Sequence, residues 1–196
     1  MPALSLEGVG ESSAAEVALE ADFIERVGRR DLDALALAYD RHHFALCSFA
    51  KRLLGDDHAA EDLVQDVFLV LPELAHRLNP TSSLRSFLLG IAANRAKHHT
   101  RSRLRLRTFF ARLEREPLAE IETPERLTER RYMATLLARA LDTLPLDQRT
   151  TFVLKEIEGY AAKEVADMLE IPEATVRTRL FHARARLRSF LEGGRP

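Results

Sequence analysis

The chain has no tryptophan, one cysteine, and only 8 glycines and 8 prolines among 196 residues. A single thiol, Cys47, excludes an intramolecular disulfide framework and fits a reducing compartment, so the expectation is a cytoplasmic protein. Scarce glycine and proline, with few β-branched runs, point to helices. Unbroken apolar runs stay as short as 67–71, whereas a membrane span needs about 20 residues, so no membrane insertion is expected. Residues 1–10 carry no basic residue and no hydrophobic stretch, so no signal peptide is expected. There is no Gly-rich phosphate loop, no paired CxxC, no Ser-His-Asp set and no isolated pair of inward carboxylates. No catalytic residue, metal or cofactor is therefore expected.

What is present is charge, unevenly spread. The net charge of −1 alone would argue against a nucleic-acid partner. Yet residues 77–115 hold 10 basic residues and 1 acid, and residues 174–191 hold 5 arginines and no acid. The segments around the first stretch, 61–76 and 116–129, are each net −4. Two basic segments in an otherwise acidic chain are the footprint of two separate polyanion contacts.

Periodicity predicts an all-α fold. The first helix is expected near 19–29. A second, capped by Asp31 and stopped by Gly55, turns Leu32, Leu35, Ala36, Tyr39, Leu46, Ala50, Leu53 and Leu54 inward. A third, capped by Asp56 or Asp57, buries Leu63, Val64, Val67, Phe68, Leu71 and Leu74. After the loop 79–83, a fourth runs from Leu84 past Arg101 on Leu84, Phe87, Leu88, Ile91 and Ala92. Pro117 and Pro124 bracket an acidic stretch without periodicity, read as a linker. Next comes a helix ending before Pro145, with Met133, Leu136, Leu137, Ala140 and Leu141 inward, and then helical segments at 147–158, 161–170 and 173–191. The expected organisation is a flexible terminus at 1–18, helical domains at 19–112 and 130–192, and a tether at 113–129.

Residues 159–180 read as a helix–turn–helix. Val165, Ala166 and Leu169 line the first helix, Ile171 plugs the turn, and Pro172 suits the first turn of the next helix. There Val176, Leu180, Ala183, Leu187 and Leu191 face inward. Arg177, Phe181, Arg184 and Arg188 lie outward, flanked by Arg179, His182 and Arg186. A helix fits the major groove, where its N-terminal side chains reach base edges and later arginines neutralise phosphates. The third helix carries Glu61, Asp62, Gln65 and Asp66 outward, beside Leu69 and Val70. That face is either a solvated surface or a dock for a basic partner helix, and charge alone does not choose. On the fourth helix Ser86, Gly90, Asn94, Lys97 and Arg101 form one stripe, extended by Arg103, Arg105 and Arg107. Small residues allow close approach, and amide and cationic groups suit a nucleic-acid strand.

In this order, the motifs resemble the sigma-70 superfamily, in particular its two-domain extracytoplasmic-function (ECF) group. Ala60-Glu61-Asp62-Leu63-Val64-Gln65-Asp66-Val67-Phe68 resembles region 2.2, and Ser86–Arg95 resembles regions 2.3 to 2.4. Leu144-Pro145-Leu146-Asp147-Gln148-Arg149 and the helix–turn–helix resemble region 4. The resemblance spans about 20–107 and 130–191. It implies a promoter-specificity subunit without catalytic activity. Asp62, Gln65, Asp66, Phe68 and Leu69 would bind the β′ clamp helices of core RNA polymerase, which also contributes its β subunit. Asn79, Ser82, Ser83, Ser86, Asn94, Lys97, His98 and Arg101 would take the −10 element as a single strand. Thr175, Arg177, Thr178, Arg179, Phe181, His182 and Arg184 would read the −35 duplex. An anti-sigma factor would hold the protein inactive. The chain departs from the family pattern at Ala161, where Ser or Thr usually caps, at Glu170 and Ala174, where glycine is usual, and at Phe87, where tryptophan is usual.

His42, His43 and Cys47 sit at helical spacing, but a structural zinc site wants four ligands and nothing accompanies them, so packing is expected there. His98 and His99 are read as phosphate neighbours. Two other functions share these features: a helix–turn–helix regulator acting on duplex DNA without polymerase, and a helical adaptor binding RNA or protein.

Overall fold

The computed structural model describes residues 21–78, 82–110 and 129–193, and the backbone alone at 100–110 and 129–131. The expectations for 1–20, for the loop residues Asn79, Pro80 and Thr81, for residues 113–128 of the tether, and for the side chains of Arg101, Arg103, Arg105 and Arg107 lie outside the described residues. Helix α1 covers 21–28, and α2 is Leu32–Leu54. The Asp31 carboxylate caps α2, accepting from the Asp33 and Ala34 N–H groups at 3.0 and 3.1 Å. Gly55 closes it in the left-handed region, at φ 66°. A Cβ there would also lie 3.1 Å from Asp142 Oδ1, so glycine serves both the turn and a close approach.

Helix α3, Asp57–Leu74, is capped by Asp56, whose side chain accepts from the Ala59 N–H at 2.7 Å. It runs on into a 3₁₀ turn, Ala75–Arg77. Helix α4 spans Leu84–Phe110, starting where Ser83 Oγ accepts from the Ser86 N–H at 3.1 Å. The second half holds α5 (Glu129–Asp142), α6 (Leu146–Phe152) with a π turn at Val153–Ile157, α7 (Ala162–Leu169) and α8 (Glu173–Leu191). The described residues contain no strand, and no helix among them is long and apolar enough to cross a membrane.

One continuous apolar core runs from Val27 to Leu187. Leu46, Phe49 and Leu53 of α2, Leu63 and Leu71 of α3, and Leu88 and Leu89 of α4 form its first part. Leu141, Leu154, Val165, Val176 and Ala183 form the second. The halves meet where α4 packs on α7 and α2 on α5 and α6. Gly90 sits at that seam, and a Cβ there would lie 3.2 Å from the Met168 carbonyl oxygen.

Several inward assignments are corrected. On α2 the residues buried ahead of Leu46 are Ala34 and Ala38, while Leu32 (81% exposed), Ala36 and Tyr39 lie outside. Small alanines let neighbouring helices close in, so the buried stripe is not the most hydrophobic one. Among the described side chains of α5, Ala140 and Leu141 are buried while Met133 and Leu137 are exposed, because the helix meets neighbours at its C-terminal end. Leu191, in the last turn of α8, is also exposed. Val165, Ala166, Leu169, Val176, Leu180, Ala183 and Leu187 are buried as their spacing predicts.

Helix α7 starts at Ala161, which has no side-chain acceptor; only Glu164 reaches back, accepting from the Ala161 N–H at 2.6 Å. Ala161→Ser is expected to complete this capping pair and raise stability by about 1 kcal/mol. Chemical denaturation measures it, and an unchanged midpoint would rule out the missing cap as a cost.

Candidate nucleic-acid and protein interfaces

The turn between α7 and α8 is built on backbone bonds. Glu170 adopts φ 54° and ψ 45°, the left-handed geometry expected where a glycine is usual. The Ile171 N–H then reaches the Ala166 carbonyl at 3.0 Å, and Pro172 precedes the first turn of α8. This fixes the exit angle of α8 and turns one face of it to solvent. Arg177, Thr178, Phe181, His182 and Arg184 are exposed; Thr175 and Arg179 are half-buried. Phe181 is 70% exposed, a large apolar ring in water between cations, with His182 edge-on at 5.5 Å.

Three of the arginines of α8 are already paired. Arg177 binds Glu173 at 2.6 Å, Arg184 binds Glu156 at 2.6 Å and Arg179 binds Asp147 at 3.2 Å. Solvent-exposed pairs of this kind contribute at most about 1 kcal/mol, so a phosphate or a guanine edge can displace the carboxylate. These pairs keep the face ordered without sealing it.

On α4 the expected stripe divides into three. Ser83 and Ser86 serve the helix start: Ser86 Oγ donates to the Ser83 carbonyl at 2.8 Å, and Ser83 Oγ to Ser86 Oγ at 3.2 Å. Ser82 is exposed ahead of them. Gly90 is buried against α7. Asn94 and Lys97 are half-buried and His98 is exposed, with Lys97 Nζ 3.7 Å from Asp147.

The outer face of α3 carries exposed Glu61, Asp62 and Gln65, with Leu69 at 72% exposure. Phe68 is half-buried instead, its ring 4.9 Å from that of Tyr39. Asp66 is half-exposed and turned toward α4, where His99 Nε2 lies 2.9 Å and Arg95 Nη1 3.6 Å from its carboxylate. Asp66, Asn94, Arg95, His98 and His99 line one open cleft of about 560 Å³. The sequence assigns Asp66 to one interface and Asn94 and His98 to another; the structure joins them. Arg95 was not singled out as a site residue. It follows Asn94 directly, and only the packing of α3 on α4 shows that it shares the cleft.

The remaining titratable cluster is a packing feature. His43 Nε2 lies 3.4 Å from Cys47 Sγ, and its ring stacks at 4.5 Å on Tyr39. Burial pushes the Cys47 thiol up and, with Arg41 and Arg85 nearby, pulls His42 down. Among the described residues no group of three or more His, Cys, Asp or Glu side chains is placed to hold a metal.

Comparison with known proteins agrees with this geometry. Residues 38–106 match the family model for sigma-70 region 2, and residues 134–187 match that for sigma-70, region 4. The RNA polymerase sigma-H factor of Pseudomonas aeruginosa is 29% identical over 171 residues, covering 82% of this chain and 88% of the relative. The ECF RNA polymerase sigma-E factor of Escherichia coli K12 gives the same identity and coverage. Among solved structures, the sigma factor RpoE of Bartonella quintana, in complex with the anti-sigma factor NepR, superposes with a TM-score of 0.60 at 25% identity, covering 83% of this chain and 97% of that one. CnrH in complex with the cytosolic domain of CnrY shares the fold, with a TM-score of 0.62 at 21% identity over 88% and 97% of the two chains. With both regions matched in order on an all-helical fold, and ECF sigma factors as relatives along most of its length, the chain belongs to the sigma-70 family as an ECF-type RNA polymerase sigma factor, a promoter-specificity subunit for transcription initiation.

Proposed function

We propose that this sigma factor docks on the β′ clamp helices of core polymerase through Asp62, Gln65, Asp66, Phe68 and Leu69, reads a −35 duplex with α8, and takes the −10 strand on α4. It acts in the cytoplasm, where the polymerase is, and has no chemistry of its own. The observation that carries the reading is α8: an unburied face of Arg177, Thr178, Phe181, His182 and Arg184 on the second helix of a helix–turn–helix. Thr175 and Arg179 flank that face. Arg pairs bidentately with guanine, and an aromatic ring meets the thymine methyl. Ser82, Ser83, Ser86, Asn94, Lys97 and His98, with Asn79 and Arg101, make up the strand-binding set. Bases leave the duplex stack at about a few kcal/mol, which these groups and the bound polymerase would offset. The Bartonella neighbour was solved with an anti-sigma factor, which supports a partner of the same class here.

The test is co-purification with bacterial core polymerase, followed by run-off transcription from a promoter library. Core binding with promoter-dependent transcripts is expected. Duplex binding by the chain alone, with no affinity for core, would instead establish the regulator reading. In holoenzyme, Arg177→Ala is expected to weaken promoter binding by about 1–3 kcal/mol and relax preference at one −35 position. Arg184→Ala is expected to weaken all sequences alike and lower the salt slope by about 1. Unchanged preference after Arg177→Ala would remove that side chain from base readout.

A further inference from the structure

Helix α3 carries a proline in its interior, Pro72, and continues through Leu74 into the 3₁₀ turn that follows. A proline within a helix has no N–H for the carbonyl four residues back, and its ring pushes that carbonyl aside. Here the carbonyl is that of Phe68, and among the described residues no backbone bond from outside the helix replaces the missing one. The loss falls on the face proposed to meet the polymerase. Glu61, Gln65, Leu69 and Pro72 follow at steps of four, four and three, which stacks them along one side of α3. Leu69 is exposed there and Pro72 half-buried. The approach of α1 does not explain the proline. At Gly28 it faces the Pro72 carbonyl oxygen and the Ala75 Cβ, atoms that Pro72→Ala leaves in place.

The carboxylates at this end of α3 are engaged within the chain. Asp66 faces His99 and Arg95 of α4, and Glu73 holds Arg30 at 3.1 Å. The last turn of α3 has no basic residue, so the negative end of the helix dipole is not offset there. A cation arriving beside Leu69 therefore meets negative potential and an acceptor that the helix itself does not use. We propose that Pro72 keeps the Phe68 carbonyl open as a docking acceptor for a lysine or arginine of the β′ clamp helices, whose aliphatic stem lies on Leu69 and the Pro72 ring. The proposal rests on the reading of α3 as the polymerase-binding face. Apolar flanks exclude water from the bond and strengthen it. The proline weakens α3 in the free chain, and the bound cation restores the hydrogen bond that the helix forgoes.

Two variants of the full chain separate the carbonyl from the ring. Pro72→Ala removes the ring and restores the N–H, which then occupies the Phe68 carbonyl. Replacing Pro72 by L-lactic acid, incorporated by amber suppression, also removes the ring but puts an ester oxygen where that N–H would be, so the carbonyl stays open. Surface plasmon resonance against immobilised core polymerase is expected to show Pro72→Ala binding about 5-fold more weakly than wild type, and the ester variant within about 2-fold of wild type. Thermal melting is expected to place Pro72→Ala about 5 °C above wild type, so that its weaker binding is not misfolding. Wild-type affinity in Pro72→Ala, with Asp62→Lys binding poorly, would overturn the acceptor and leave the docking face standing. Equal losses in Pro72→Ala and the ester variant would assign the effect to the ring and overturn the carbonyl's part. If Asp62→Lys also bound core as wild type does, the reading of α3 would fall and the proposal with it.

Discussion

Asp66→Lys is expected to cost about 30-fold or more in affinity for core polymerase, and with it promoter-dependent transcription. The carboxylate lies on α3, next to exposed Asp62, Gln65 and Leu69, on a face with no basic residue from 61 to 76. A basic partner helix would meet acid all along it. Reversing one charge at such an interface removes an attraction and adds a repulsion, typically about 2–5 kcal/mol. The lysine would also face Arg95 and His99, the groups that now hold Asp66 at 3.6 and 2.9 Å. Asp66→Asn keeps the shape and should lose less. Surface plasmon resonance against immobilised core gives the affinities, and thermal melting shows whether the variant still folds. A folded Asp66→Lys chain that forms holoenzyme at the wild-type concentration would take this face out of the polymerase interface.

Arg149→Ala is expected to lower stability by about 2–4 kcal/mol, through carbonyls left unpaired in the seam. For a chain of this size that is a fall in melting temperature of roughly 5–15 °C. Arg149 is buried at 9% exposure, and burial pulls its pKa down while Asp142 opposes that pull. Its Nη1 donates to the Leu53 carbonyl and to Asp142 Oδ1, both at 2.8 Å, and Nη2 donates to the Leu144 carbonyl at 3.3 Å. One side chain thus caps the end of α2 and holds the start of α6. Arg149→Lys keeps the charge but lacks the fork, and cannot serve three acceptors in three directions. It should fall between wild type and Arg149→Ala. Calorimetry reads all three, and equal melting temperatures would show that water replaces the guanidinium without loss.

The helix ends were legible because caps are local chemistry. Asp31, Asp56 and Gly55 act within a few residues of themselves, so no tertiary partner is needed to predict them. The recognition helix was legible for a related reason. Steps of three and four place Val176, Leu180, Ala183 and Leu187 inside, which leaves Arg177, Phe181 and Arg184 outside whatever α8 packs on. The same rule failed on α2 and α5. Both have apolar residues on more than one face, and hydrophobicity ranks Leu32 above Ala34 and Leu137 level with Leu141, although Leu32 and Leu137 are exposed. Which face is buried depends on how near a neighbouring helix can come, and that distance is no property of the segment.

Residue type and spacing alone were enough to show that the chain is helical, that it carries two basic segments and one acidic one, and that these follow the order of a sigma factor. Each of these is set by residue type and spacing along a single helix. It took the packing of the helices to show that the two halves share one core, that Gly90 lies under α7, and that Asp147, Glu158 and Glu170 face cations of the other half. Those contacts join residues separated by 50 to 106 positions, and their geometry arises from the packing of several helices at once. No periodicity within one helix encodes it.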